Sequence, residues 1–178
     1  MEAFEILLLS VEASIALAGF AGIIATFQIN DVTRIRRGPI GALTVVVQFS
    51  LMTALTAGLI LVLYSFGLTD AVLWTVSSLI AGIFTANGAY GIAKKMKGAI
   101  RKKSVRSLFI LLQLLGVLIV LANILNIVGI LFHREPGPVL AAILYALGVA
   151  AYMFSRLLLL PLWRIVREQE AVNSNTTE

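Results

Sequence analysis

Five predominantly apolar runs of 22 to 27 residues take up 122 of the 178 residues in this chain. Each is long enough to cross ~30 Å of hydrocarbon at ~1.5 Å per helical residue. They fall at 6–27, 41–67, 71–92, 107–132 and 139–163. Hydrocarbon offers no partner for a backbone N–H or C=O, so a run at that depth must bond to itself as a helix. The expected fold is therefore all-α, a polytopic transmembrane helical bundle of five spans. The pieces left over are short: 28–40, 93–106 and a polar tail over 164–178. None is large enough for a soluble core, so the chain reads as a single transmembrane domain.

Charge sets the expected orientation. Twelve basic residues fall in the first loop, the third loop and the tail: Arg34, Arg36, Arg37, Lys94, Lys95, Lys97, Arg101, Lys102, Lys103, Arg106, Arg164 and Arg167. The opposite side carries Arg134. By the positive-inside rule the N-terminus is expected outside and the C-terminus in the cytoplasm, as an odd number of spans requires. Residues 1–5 carry Glu2 and Glu5 and no basic residue, and the run behind them exceeds a signal-peptide core, so the first span is expected as an uncleaved helix. Spans two and three are joined by Leu68, Thr69 and Asp70 alone, which predicts an antiparallel hairpin of neighbouring helices. Pro136 and Pro138 separate spans four and five. The chain shows no convincing internal repeat.

Composition narrows the chemistry. There is no cysteine, and the single histidine, His133, lies outside the apolar runs. Thiolate or His-rich metal sites and cysteine nucleophiles are thereby excluded, and no HExxH motif or paired carboxylates stand in for them. No cofactor is expected. The basic run over 94–106 fits topology and contact with anionic lipid headgroups through Lys94, Lys95, Lys97, Arg101, Lys102, Lys103 and Arg106. It lacks the interleaved aromatics of a nucleic-acid surface.

The polar residues inside the spans are the candidates for function, because a charge at bilayer depth is costly. Only Glu12 and Arg156 are formally charged there. Counted from the span ends, Glu12 lies roughly 9 Å below the outer boundary and Arg156 roughly 10 Å above the inner one, about 10 Å apart in depth and unsuited to a direct bridge. Arg156 is expected to snorkel towards inner headgroups. The other polar side chains form two layers: Ser77, Ser78, Asn123 and Asn126 with Glu12 in the outer third, and Gln48, Asn87 and Gln113 with Arg156 in the inner third. Two readings of these layers stand side by side. Either they clamp helices through hydrogen bonds, or they line a hydrated path with Glu12 near its outer mouth.

Helical spacing predicts packing faces. Gln113, Gly116, Val120 and Asn123 lie along one stripe of span four, which is expected to face protein. Span one carries small residues on two faces, Glu12, Ala16 and Gly19 with Ile23 on one and Ser14, Ala18, Ala21 and Ala25 on the other, so two neighbours and the most enclosed position are expected for it. Ser14-xxx-Ala18-xxx-Gly22 and Ser78-xxx-Gly82 are the small-residue motifs for close helix contact.

The segment Ser14-Ile-Ala-Leu-Ala-Gly-Phe-Ala-Gly-Ile23 resembles the start of small, functionally uncharacterised multipass proteins of bacteria, over about ten residues. The resemblance implies a bacterial inner membrane and supplies no activity or site. The expected function is a non-enzymatic membrane assembly or accessory protein that packs through small-residue faces, with another membrane protein or a second copy as partner. The alternative is an oligomeric ion channel or small-solute transporter.

Overall fold

The computed structural model describes the backbone of residues 2–29, 37–96 and 103–175 and the side chains of 3–26, 41–94 and 107–159. The described residues form five α-helices and no strand: α1 (Glu2–Ile29), α2 (Arg37–Ser65), α3 (Asp70–Met96), α4 (Lys103–Val128) and α5 (Gly137–Asn175). Five stretches within them are long and apolar enough to cross a membrane: Ala3–Thr26, Gly41–Ser65, Asp70–Lys94, Ser107–Val128 and Gly137–Leu159. The chain is an integral membrane protein of the multipass kind. Several hydroxyls along the spans bond to a carbonyl one turn back in their own helix, as from Ser14 Oγ to Ser10 O at 2.6 Å and from Thr53 Oγ1 to Phe49 O at 2.8 Å, and so are satisfied without a partner on another helix.

The helix ends explain where boundaries depart from the hydropathy. Span four was expected to reach Phe132, but α4 stops at Val128 because Gly129 takes φ +78°, a left-handed conformation that glycine adopts without penalty. The Gly129 N–H then bonds to Leu125 O at 3.0 Å and to Asn126 O at 3.2 Å, closing the last turn. Arg134 folds its side chain back over this end, with Nε 3.6 Å from where a Cβ on Gly129 would stand. A cation there complements the negative end of the helix dipole. At the other extreme, α5 continues as helix to Asn175, so most of the polar tail is a helical extension of the last span.

The hairpin between α2 and α3 is present, yet these two helices are not each other's main partners. α2 packs chiefly on α1 and α5, and α3 chiefly on α4. α5 touches all four other helices. It carries Val139, Ala142, Ile143, Val149 and Ala150 into the core, against Val46, Phe49, Ala57 and Ile60 of α2 and Leu73 and Ala81 of α3. At the end of the bundle that holds the start of α1, the ring of Phe4 lies tilted against Tyr64 at 4.0 Å and 5.9 Å from Trp74, tying three helices together.

This arrangement corrects the expectation for span one. In its most apolar window 22% of residues are buried, against 44% in α2 and α5, so α1 is peripheral. It packs through one face only. Leu7, Ser10, Ser14 and Ala21 are buried, Ala18 is half-buried, and the opposite face of Glu12, Ala16, Gly19 and Ile23 is exposed. The reason is topological: α5 occupies the centre, which leaves α1 at the edge with α2 and α5 as its neighbours. Gly22, the last member of the Ser14 motif, is exposed, and a Cβ there would meet nothing within 4 Å. A Cβ on Gly88 of α3 would instead stand 2.9 Å from Cζ of the buried Phe49 ring. Gly22→Leu is therefore expected to leave stability within about 0.5 kcal/mol, whereas Gly88→Leu is expected to cost about 1–3 kcal/mol by overpacking. Equilibrium unfolding of the two variants in one detergent checks the contrast; equal losses would refute it.

Candidate functional site

The intramembrane polar residues separate into three groups once their surroundings are known. The first is a clamp at the end of the bundle where α4 leads into α5. Asn126 is fully buried, and its Nδ2 donates to Ser78 Oγ at 2.8 Å and to Glu135 O at 2.9 Å while its Oδ1 accepts from Glu135 N at 3.1 Å. One amide thus pairs both backbone groups of a loop residue and holds a neighbouring helix. The loop it fixes contains two successive non-glycine residues at positive φ, His133 at 49° and Arg134 at 63°. Such a pair persists only where surrounding bonds over-determine it.

One turn deeper, Asn123 is also fully buried, and its Nδ2 donates to Ile119 O at 2.9 Å and to Pro138 O at 3.1 Å, joining α4 to the first turn of α5. Gly82 faces it from α3, where a Cβ would lie 3.6 Å from Asn123 Cβ. The Ser78-xxx-Gly82 motif therefore meets Asn126 and Asn123 in register, a small-residue face used for close helix contact as its spacing predicted. Among the described residues, Asn123 Oδ1, Ser77 Oγ and Ser50 Oγ are buried without a hydrogen-bond partner.

The second group lies deeper in the bundle. Gln113 Nε2 donates to Ala89 O at 3.2 Å, linking α4 to α3. Tyr145 Oη donates to Leu112 O at 3.2 Å, linking α5 to α4 across Gly116. The stripe Gln113, Gly116, Val120 and Asn123 accordingly faces protein, as expected, with Gly116 and Asn123 buried and the other two half-buried. Between α2, α3 and α5 there is a cavity of about 20 Å³, bordered by the hydroxyl-bearing Thr53, Thr56, Thr85 and Tyr145. That volume holds about one water molecule.

The third group was not expected. Glu12 of α1, Gln48 of α2 and Asn87 of α3 are all exposed on the outside of the bundle at hydrocarbon depth. Glu12 does not join Ser78, Asn123 and Asn126, and Gln48 and Asn87 do not join Gln113. Arg156 is half-buried, with its guanidinium carbon 6.0 Å over the ring of Tyr152. Of the basic run, Lys94 is exposed, Lys97, Arg101 and Lys102 lie outside the described residues, and the side chains of Lys95, Lys103 and Arg106 do as well.

Three functional contributors escaped the sequence. Tyr145 sits inside an apolar run where a ring reads as core, although its depth away from either interface, where tyrosine is enriched, was a usable signal. Glu135 contributes only its main chain, which no side-chain pattern reveals. Ser50 carries an unpartnered hydroxyl that its neighbours in sequence do not foreshadow. Compared with protein-family models, curated proteins and solved structures, the chain matches none.

Proposed function

We propose that this chain is a non-enzymatic assembly or accessory protein of a bacterial inner membrane, with its N-terminus outside and its C-terminus in the cytoplasm. One observation carries the reading: the polar side chains are divided between the bundle and its surroundings. Asn126, Asn123, Gln113 and Tyr145 are spent on joining helices of the same chain. Glu12, Gln48 and Asn87 point away from it. A polar group facing lipid at that depth gains from meeting another membrane helix, because lipid tails satisfy none of its hydrogen bonds. The location rests on the resemblance of 14–23 to bacterial multipass proteins. The orientation rests on the twelve-to-one basic asymmetry, which also sets Lys94, Lys95, Lys97, Arg101, Lys102, Lys103 and Arg106 against anionic cytoplasmic headgroups.

The channel reading takes a different form in this light. Because Glu12 faces away from the bundle and the pocket between α2, α3 and α5 holds about one water, this reading sets an ion or solute path between copies. Liposome flux from wild type, altered in selectivity by Glu12→Gln, would favour that reading; no flux from either protein favours assembly.

Orientation has a direct test in a chain without native cysteine. Single cysteines at Asn30, Ser104 and Asn173 are expected to resist a membrane-impermeant maleimide in intact cells and to react after lysis. Labelling of any of the three from outside would overturn the topology. Extraction of the native membrane in mild detergent tests the assembly reading: a particle larger than one chain supports it, and a lone monomer refutes it.

A further inference from the structure

We propose that the cavity between α2, α3 and α5 is a binding site for one water molecule, with Thr85 as its hydrogen-bond donor and the hydroxyls of Thr53, Thr56 and Tyr145 as the acceptors open to it. The site is independent of the assembly reading. Thr85 is 6% exposed and borders the cavity, and among the described residues its hydroxyl has no hydrogen-bond partner. Its neighbours there differ. Thr53 Oγ1 donates to Phe49 O at 2.8 Å, Thr56 Oγ1 to Met52 O at 2.7 Å and Tyr145 Oη to Leu112 O at 3.2 Å. Thr85 has not turned back onto a carbonyl of its own helix, the bond by which a buried threonine is commonly satisfied. Nor is its oxygen sealed in, as those of Ser50 and Ser77 are. The open space it borders is the cavity.

Donors and acceptors select the occupant. A hydroxyl has one proton, and Thr53, Thr56 and Tyr145 have each given theirs to a carbonyl, so what they keep is lone pairs. Thr85 keeps its proton. Water matches this set: its oxygen accepts from Thr85 and its two protons go to two of the three acceptors, within the two to four partners a buried water needs. Size agrees, because a cavity of about 20 Å³ holds about one water. A lipid tail has neither donor nor acceptor, and Thr53 stands midway along the Gly41–Ser65 span, where hydrocarbon would leave the Thr85 hydroxyl unmet. No acidic side chain borders the cavity, so a cation finds no counter-charge there. The water also supplies what α2 lacks. The interhelical bonds of Asn126, Asn123, Gln113 and Tyr145 join α3, α4 and α5, and none of them reaches α2. Any two of the three acceptors include one on α2, so the water ties α3 to α2 where their direct contact is slender.

Thr85→Val tests the site by the sign of its effect, since valine keeps the shape of threonine and removes the hydroxyl. With water bound, the substitution is expected to raise the unfolding equilibrium constant in detergent about fivefold, equivalent to about 1 kcal/mol and within the range of polar contacts between membrane helices. A hydroxyl merely buried unpaired gives the opposite result: its removal relieves a desolvated group and leaves stability equal or higher, which overturns the site. Water is read directly by solid-state NMR of protein labelled with ¹³C-threonine in phosphatidylethanolamine–phosphatidylglycerol vesicles. Magnetisation from water protons is expected to reach the Thr85 side chain, identified as the signal that Thr85→Val deletes. Transfer to that signal from acyl-chain protons, and not from water, assigns the cavity to a lipid tail and overturns the proposal. Both readouts have to hold.

Discussion

Asn126→Leu is expected to lower the stability of the bundle by about 2 kcal/mol. Polar contacts between membrane helices average about 0.6 kcal/mol and reach about 1.7, and Asn126 makes three hydrogen bonds at once. Leucine is close in volume, so the loss is one of bonding rather than of space. It leaves the buried Ser78 hydroxyl without its amide partner and frees both backbone groups of Glu135. The loop at His133 and Arg134 then loses the bonds that hold two residues at positive φ. Ile124→Leu, on the lipid-exposed side of the same helix, is the control and is expected to change stability by less than about 0.5 kcal/mol. Equilibrium unfolding in detergent reads both. Equal stability of the two variants would mean that the clamp contributes nothing.

The second large effect is a coupling between two helices. Gly116→Ala places a methyl carbon 2.8 Å from Tyr145 Oη and 3.2 Å from Cζ. The ring is buried on α5, and its hydroxyl is fixed by Leu112 O, so it has little freedom to withdraw. The single substitution is expected to cost about 1–3 kcal/mol through overpacking. Tyr145→Phe removes the nearest atom, together with one hydrogen bond of about 1 kcal/mol. In that background Gly116→Ala is expected to cost about 1 kcal/mol less than in wild type, the range seen for residues in direct contact. Strict additivity of the two substitutions would show that α4 and α5 do not meet at this point.

Much of the architecture was legible because hydropathy counts residues against a fixed thickness. The five spans fall within four residues of their expected ends, and the early stop at Val128 came from one glycine conformation that an apolar run conceals. The Asn126 clamp was legible as a layer, since Ser78, Asn123 and Asn126 share a depth on neighbouring helices. Which face of a helix meets protein was legible for α4, where two amides and a glycine line one stripe. It was not legible for α1. Both faces of that helix carry small residues, and the choice between them was made by α5, whose position depends on contacts more than a hundred residues away in sequence. Glu12 stood out in the sequence as a carboxylate well inside a span, but periodicity alone does not tell inside from outside.

The central place of α5 has a consequence for biogenesis. α1 and α2 are consecutive and pack on each other, and so are α3 and α4, so each hairpin has its main contacts as soon as its second helix enters the membrane. The two hairpins share only a slender contact of their own, between α2 and α3. The core that joins them, built around Val139 to Ala150, belongs to α5, which is synthesised after both hairpins. Until then these two local pairs sit on a four-residue hinge, with their inner faces open to lipid or to any chaperone at the insertion site. α5 is thus the keystone: local pairing comes early, and cooperative closure waits for the helix that touches the other four.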